Sequence, residues 1–317
     1  MIKTMKPLKP HALKKGDVIG IVSPASAPST SEKIEKGVAY LEKLGYRVKL
    51  GKHILSQKGY LAGEDKDRAD DFNSMIHDKS VKAIFCSRGG YGTPRILSLI
   101  DYKAMRKNPK IIVGYSDITA LQLAIWKTIK LVTFSGPMLA VEMWNNIDSF
   151  TEEHFWRMIT STKKVGVLAN PIDDSLIVFG NRNANGTLLG GNFALVMSIF
   201  GTQYFPDIKN AILFLEDTDE APHRVDRMLV QLESAGVYKK IAGLVFGRFT
   251  DCVPSDPKEP HLNIDEIIDD YAKRSKLPVL INFLYGHVAK KLTMPIGLRA
   301  RLDINKQNIQ VLESAVE

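Results

Sequence analysis

A serine at a sharp turn is the first feature of this sequence that could do chemistry. Ser116 follows a short apolar β-branched run that breaks at Gly114, and a helix-competent segment begins directly after Asp117. Such a strand-to-helix turn exposes the serine hydroxyl and leaves the backbone N–H of Asp117 free to stabilise an oxyanion. Because Ile118 stands where the G-x-S-x-G motif has its second glycine, a serine that only caps the helix is the alternative interpretation.

His287 is the candidate base for this serine, since a serine nucleophile needs a proton acceptor and a third group that orients the acceptor. It follows an apolar segment, residues 278–285, and Gly286, so a buried strand delivers it onto a loop. A buried histidine with a purely structural role is the alternative. The other histidines lie in polar contexts or at a helix start and are predicted to be surface or structural residues: His11, His53, His77, His154, His223 and His261.

Glu216 is the candidate orienting group. It opens the acidic cluster 216–220 and stands at the end of a buried-type strand, residues 211–215, from which a carboxylate can reach a histidine N–H. The cluster could instead bind a divalent cation, but it lacks the EF-hand spacing and glycine, so we predict no metal site and no cofactor. Helix capping is the alternative for Asp219 and Glu220, and Asp217 and Asp219 are assigned to the surface or to capping.

A glycine-rich loop, residues 87–92, follows the third predicted strand. It is not a dinucleotide-binding loop, because Arg95 occupies the position of the third glycine and the loop is not on the first strand. An anion nest or an oxyanion donor fits it better. Cys86 ends the same strand and could pair with His287, but no tight strand-to-helix turn presents it, so a buried inert thiol is expected.

The composition of the sequence limits the classes of protein to which it can belong. The 317 residues are 44% hydrophobic and 25% charged, which suits one large or two medium domains with a full core. The net charge is +8, but the lysines are scattered and not interleaved with aromatic residues, so no nucleic-acid partner is expected. Two cysteines exclude a disulfide framework and a cysteine zinc site. Without an apolar run of signal-peptide or membrane-spanning length, we expect a cytoplasmic protein with no membrane partner.

Strands and helices alternate through the first half of the chain. The predicted strands are 18–22, 46–50, 81–86, 111–113 and 131–134, and the helices include 34–44, opened by a capping box of Ser29 and Glu32, 66–78 and 118–127. This α/β pattern predicts an open parallel sheet with a ligand site beyond the carboxyl ends of its strands. The 87–92 loop and the Ser116 turn both lie at such ends.

The second half is richer in short strands. Its predicted strands are 176–179, 186–189, 211–215, 244–246, 294–296, 299–304 and 308–312, with helices near 193–200, 223–235 and 264–274. We therefore predict an N-terminal α/β domain over 1–160 that carries the nucleophile, a linker over 161–175, and a smaller strand-rich α/β domain over 176–317 that carries the glutamate and the histidine.

These residues together resemble the serine LD-carboxypeptidases of the S66 type, which include the muramoyltetrapeptide carboxypeptidases. Short matching pieces keep one order along nearly the whole chain: 15–24, 60–63 with Arg68, 88–92, 114–119, 186–192, 215–217, 286–287 and 294–297. The resemblance implies an amidotransferase-like (flavodoxin-like) first domain, a smaller second domain and a homodimer. It also implies a triad of Ser116, His287 and Glu216, with the N–H groups of Asp117 and Gly90 as oxyanion donors.

The resemblance also implies a substrate. Arg-Gly-Gly-Tyr-Gly at 88–92 is similar to the carboxypeptidase branch, and the branch that inactivates microcin-type peptidyl nucleotides usually departs there. The implied reaction is release of the terminal D-Ala from a cytoplasmic murein tetrapeptide during cell-wall recycling. A peptidase of the same fold that acts on a peptidyl-nucleotide or another small amide is the alternative. A non-catalytic ligand-binding module is disfavoured by the presence of Ser116, Glu216 and His287.

Overall fold

Two β-sheets organise the protein. The structure is a computed structural model that describes residues 6–254, 256, 258 and 260–317. Within this part of the chain, the first sheet has five parallel strands and one antiparallel edge strand. In spatial order they are β2 (Arg47–Leu50), β1 (Val18–Val22), β3 (Val81–Cys86), β4 (Ile111–Val113), β5 (Thr133–Ser135) and β12 (Met294–Ile296).

The central strands of this sheet are covered on both faces, which explains their continuous apolar sequences. β1 and β4 are buried along their whole length. The helices of this half are α1 (Ser31–Lys43), α2 (Asp65–His77), α3 (Thr93–Ile96), α4 (Tyr102–Lys107), α5 (Ile118–Ile129) and α6 (Ser149–Thr160). Helix α5 is buried along most of its length, because it packs against both sheets of the molecule. It begins two residues after Ser116 and therefore holds that residue at the boundary between the two halves.

The second sheet is larger and mixed. Its strands, in spatial order among the described residues, are β6 (Gly166–Leu168), β14 (Asn308–Val311), β13 (Arg299–Asp303), β8 (Ala184–Asn192), β9 (Ala211–Thr218), β10 (Gly243–Thr250), β11 (Val279–Ile281) and β7 (Ile177–Phe179). β8, β9, β10 and β11 run parallel, and the outer strands pair antiparallel. The helices are α7 (Phe193–Ser198), α8 (Pro222–Ser234) and α9 (Ile264–Ser275).

The predicted fold class is confirmed, but several local predictions are wrong. Helix α1 begins at Ser31 after the N-cap Thr30, so Glu32 lies too early for a capping box and instead pairs with Lys36 at 2.7 Å. Strand β5 begins at Thr133, and Leu131 before it forms an isolated bridge with Leu8. Strand β9 continues past residue 215 to Thr218.

The predicted linker is not simply a linker. Residues 166–168 form β6, which pairs with β14 at the edge of the second sheet. In addition, β12 lies within the predicted second domain but pairs with β5 of the first sheet. The domain boundaries at 160 and 176 stay a prediction. In the described part of the chain, no helix has the length and apolar character needed to cross a membrane.

Candidate active site

Ser116 lies on the sharp strand-to-helix turn that the sequence predicted. β4 ends at Val113, α5 begins at Ile118, and Ser116 between them has a φ of 61°. The left-handed region costs a non-glycine residue of order 1–2 kcal/mol, so the surrounding structure must hold it there. No side-chain cap closes the start of α5, so Ser116 does not act as a helix cap. Its side chain instead lines a cavity of about 360 Å³.

The glycine loop after β3 packs directly against this turn. A Cβ on Gly89 would lie 2.8 Å from the Cβ and 3.0 Å from the Oγ of Ser116, so the position accepts no side chain without displacing the serine. The carbonyl of Gly89 accepts a hydrogen bond from Ser26 N at 3.2 Å. Because the peptide is trans, the N–H of Gly90 points away from Ser26.

Two backbone donors are therefore free beside the serine. Within the described part of the chain, neither Gly90 N nor Asp117 N has a hydrogen-bond acceptor. Asp117 N lies 3.4 Å from the position of a Cβ on Gly89, and Gly90 lines the same cavity as Ser116. These are the two N–H groups predicted as oxyanion donors, and that role stays a prediction.

Backbone N–H groups at the end of the glycine loop bind an anion, and that anion is the side chain of Asp117 of this protein. The buried carboxylate of Asp117 accepts hydrogen bonds from Gly92 N at 3.2 Å and from Thr93 N at 2.8 Å. Burial raises the pKa of Asp117, and these hydrogen bonds oppose the rise. The guanidinium of Arg68, also buried, donates to the carbonyl of Gly92 at 3.0 Å. The carboxylate of Asp117 thus connects the glycine loop to the Ser116 turn and holds the backbone N–H of Asp117 in place.

His287 and Glu216 form the second part of the site. His287 Nδ1 lies 2.7 Å from Glu216 Oε2, with the histidine side chain 20% exposed and the glutamate fully buried. Gly286 makes this approach possible, because its φ is 130° and a Cβ there would lie 3.0 Å from the same oxygen. A carboxylate at Nδ1 favours the tautomer with the proton on that nitrogen, which leaves Nε2 to accept a proton.

The structure brings the three predicted residues to one cavity. Ser116 and His287 both line it, and Glu216 lies behind His287. In the described structure no hydrogen bond joins Ser116 Oγ to His287, although both residues line the same cavity. Their catalytic roles stay a prediction. The other six histidines do not line this cavity.

A buried ion pair, which the sequence did not reveal, joins the serine turn to the histidine loop. Lys291 Nζ lies 2.6 Å from Glu142 Oε1, with side chains only 3% and 9% exposed. The hydroxyl of Tyr115 donates to the same oxygen at 2.7 Å, and the N–H of Met138 donates to Oε2 at 2.8 Å. The ring of Tyr115 lies 5.0 Å from the ring of His287 and 4.0 Å below the ammonium of Lys291. We call Tyr115, Glu142 and Lys291 the clasp.

The assignment of Asp217 to the surface is wrong. Its side chain is 2% exposed and accepts hydrogen bonds from Asn192 Nδ2 at 2.8 Å and Ala194 N at 2.9 Å. It therefore supports the start of α7, a helix that the capping prediction did not name. Burial, and then the charge of neighbouring Glu216, raise the pKa of Asp217 to about 7. No side chain caps α8, so neither Asp219 nor Glu220 has that role.

The remaining candidates have no place in the cavity. Cys86 is buried among Ala25, Tyr115, Ile118 and Met138, and burial raises the pKa of its thiol well above the ordinary value. It does not line the cavity, which agrees with the expected buried thiol. Within residues 6–254, 256, 258 and 260–317, no three His, Cys, Asp or Glu side chains are arranged to hold a metal ion.

A serine on a strained strand-to-helix turn, in one cavity with a histidine that is hydrogen-bonded to a carboxylate, has the parts of a serine hydrolase. Sequence profiles of the LD-carboxypeptidase N-terminal and C-terminal domains match residues 19–136 and 185–302. The chain belongs to this family of peptidases, S66, and the resemblance noted from its motifs is confirmed.

Relatives of two kinds are similar to the chain. The probable murein peptide carboxypeptidase of Bacillus subtilis is 38% identical over 97% of this chain and 95% of its own length. The microcin C7 self-immunity protein MccF of Escherichia coli is 29% identical over 97% of this chain and 96% of its own. A structure of MccF with glutamyl sulfamoyl guanosine has a TM-score of 0.89, 26% identity and coverage of 98% and 100%. The muramoyltetrapeptide carboxypeptidase from Oxalobacter formigenes has a TM-score of 0.78, 29% identity and coverage of 93% and 97%.

Proposed function

We propose that this chain is a serine LD-carboxypeptidase that releases the terminal D-Ala from a murein tetrapeptide. The observation that carries the proposal is the His287–Glu216 hydrogen bond of 2.7 Å beside the cavity into which Ser116 opens. Membership of the LD-carboxypeptidase family supports the reaction class. The murein peptide carboxypeptidase of Bacillus subtilis, similar along almost the whole chain, supports the substrate.

The proposed mechanism passes through an acyl-enzyme. His287 Nε2 takes the proton of Ser116 as the oxygen attacks the carbonyl carbon of the L,D-amide bond. The N–H groups of Asp117 and Gly90 bind the oxyanion, and Glu216 stabilises the imidazolium. The imidazolium then gives its proton to the amine of D-Ala, which leaves. A water molecule, deprotonated by His287, hydrolyses the ester and returns the free serine.

A trough on the surface supports an extended peptide as substrate. The catalytic cavity shares Tyr115, Val141 and His287 with a second cavity of about 370 Å³ that is lined by residues 145–148 and 287–289. On its other side it shares Ser29 and Arg88 with a third cavity of about 350 Å³, beside residues 57–61. Ser116 and His287 thus lie in the middle of three adjoining cavities, each large enough for part of a short peptide.

The setting of the reaction is also part of the proposal. A tetrapeptide cut from murein and taken up by the cell would meet this enzyme in the cytoplasm, where the release of D-Ala recycles wall material. The net charge of +8 favours encounter with an acidic muropeptide. A homodimer without nucleic-acid or membrane partners is proposed by analogy with the family.

A microcin-immunity-type peptidase is the second candidate. The observation that favours it is the TM-score of 0.89 to MccF, against 0.78 to the muramoyltetrapeptide carboxypeptidase. Such an enzyme would use the same serine, histidine and glutamate on the amide of a peptidyl-nucleotide. The two candidates differ in the leaving group, which is a small amino acid in one case and a nucleotide derivative in the other.

Mass spectrometry of reaction products separates the two candidates. The purified protein is incubated with murein tetrapeptides that carry lysine or diaminopimelate at the third position, and with a glutamyl sulfamoyl nucleoside. We expect loss of one alanine from at least one tetrapeptide and slower cleavage of the nucleoside conjugate. Cleavage of the conjugate alone would reject the carboxypeptidase and favour the second candidate.

A further inference from the structure

The cavity around Ser116 is lined by cations without matching anions. Lys33 and Arg88 both line it, and no aspartate or glutamate does. The ammonium of Lys33 lies 4.7 Å from the ring centre of Trp144. Within the described part of the chain, the guanidinium of Arg88 has no hydrogen-bond or ion-pair partner. A free guanidinium at the wall of a cavity is suited to bind a carboxylate through two parallel hydrogen bonds.

Arg88 is anchored next to the reacting atoms. It directly precedes Gly89, which has no room for a side chain beside Ser116, and it lies two residues before the free N–H of Gly90. In a substrate that ends in an amino acid, the terminal carboxylate is separated from the scissile nitrogen by a single carbon. A group that recognises this carboxylate must therefore lie in the same cavity as the nucleophile, as Arg88 does.

We propose that Arg88 binds the terminal carboxylate of the substrate and so restricts the enzyme to the last residue of a peptide. This inference rests on the proposed carboxypeptidase function and names the group that makes it an exopeptidase. Lys33, which lines the same cavity, adds positive potential. The leaving amino acid then occupies the Arg88 side of the cavity, and the acyl part of the peptide extends past His287 toward residues 145–148.

A matched pair of substrates tests this proposal. One is the murein tetrapeptide with a free terminal carboxylate, and the other is the same peptide with a terminal carboxamide. We expect the wild-type kcat/KM to be about 10- to 100-fold higher for the free acid, as a charge-assisted hydrogen bond of this kind provides. Arg88→Gln should remove this preference by slowing cleavage of the acid alone, and Arg88→Lys should restore part of it.

Two controls complete the experiment. Lys43→Gln removes an exposed cation from the last turn of the helix that carries Lys33, at a position that does not line the cavity, and it should leave the preference unchanged. In a Ser116→Ala background, calorimetry should find tighter binding of the acid than of the amide, and Arg88→Gln should abolish the difference. Thermal unfolding of each variant verifies that it is folded.

The outcomes separate this proposal from the proposed function. Equal cleavage of acid and amide by the wild type would overturn the role of Arg88 but leave the peptidase activity standing. Equal loss on both substrates in Arg88→Gln would also overturn it, because the residue would then act on the loop and not on the carboxylate. If the wild type cleaved neither peptide and the Ser116→Ala protein bound neither, the proposed function itself would fail, and the role of Arg88 with it.

Discussion

Removing one charge of the clasp should weaken both the fold and the catalysis. Both carboxylate oxygens of Glu142 accept hydrogen bonds, from Lys291 and Tyr115 at one oxygen and from Met138 N at the other. In Glu142→Gln, the amide keeps only one oxygen that can accept. One NH₂ group must then face a donor, and the ammonium of Lys291, only 3% exposed, loses its counter-ion. Breaking one side of a buried pair typically costs about 3–5 kcal/mol. For a chain of this size that corresponds to a fall in Tm of roughly 5–10 °C.

The same change should lower kcat, because the clasp positions the ring of Tyr115 beside His287. Differential scanning calorimetry and steady-state kinetics on one preparation give both quantities. The control is Glu32→Gln, which breaks an exposed pair with Lys36 and should leave Tm and kcat unchanged. The double variant Glu142→Leu, Lys291→Met should recover much of the lost stability, since apolar replacement of both partners leaves no charge buried alone.

A Tm of Glu142→Gln equal to that of Glu32→Gln would refute this reasoning. It would mean that the Lys291 ammonium finds water or another partner without cost, and that the two halves of the site are not held together by the clasp. If the double variant recovered stability but not kcat, the charges of Glu142 and Lys291 would have a role in positioning the site that is separate from their role in stability.

Three further outcomes follow from the site. Gly89→Ala should lower kcat by at least about tenfold with little loss of stability, since its Cβ would lie 2.8 Å from that of Ser116; unchanged kinetics would contradict the packing. Glu216→Gln should lower kcat by about two to four orders of magnitude with little change in KM, and an equal effect of Asp217→Asn would require a different third residue. The pKa of Asp217 is raised to about 7, so the buried carboxyl favours the folded state when protonated. Its contribution should fall as pH rises from about 4 to 7, and the Tm of the wild type relative to Asp217→Asn, measured across that range, should fall too; a rise would contradict the assigned direction.

Local signals in the sequence predicted the parts of the site that depend on local structure. The break at Gly114 and the apolar helix that follows predicted the Ser116 turn, and the structure has it with a φ of 61°. Residues 278–285 predicted that His287 leaves a buried segment. Strand 211–215 predicted that Glu216 follows a buried strand, and in the structure that strand continues through Glu216 to Thr218. These features follow from the periodicity of apolar residues and from the positions of glycines, which can be recognised in the sequence without knowledge of distant contacts.

Contacts between distant residues could not be predicted in this way. Glu142 and Lys291 are 149 residues apart, and only a lone carboxylate within the apolar run 138–143 hinted that Glu142 is buried. Asp217 was assigned to the surface or to capping, and the predicted strand 211–215 ended three residues before the end of β9 at Thr218. The return of β12 to the first sheet is equally non-local, although Pro295 within it is typical of an edge strand.

The turnover of Ser116→Ala is the most direct test of the central claim that Ser116 is the nucleophile. Release of alanine from the murein tetrapeptide is measured for the wild type and the variant under single-turnover conditions, with circular dichroism to verify folding. We predict a fall in rate of roughly four to six orders of magnitude, because Ser116 is the hydroxyl that the strained turn presents beside the free N–H of Asp117. A folded Ser116→Ala protein that retained more than about a tenth of the wild-type rate would contradict the account.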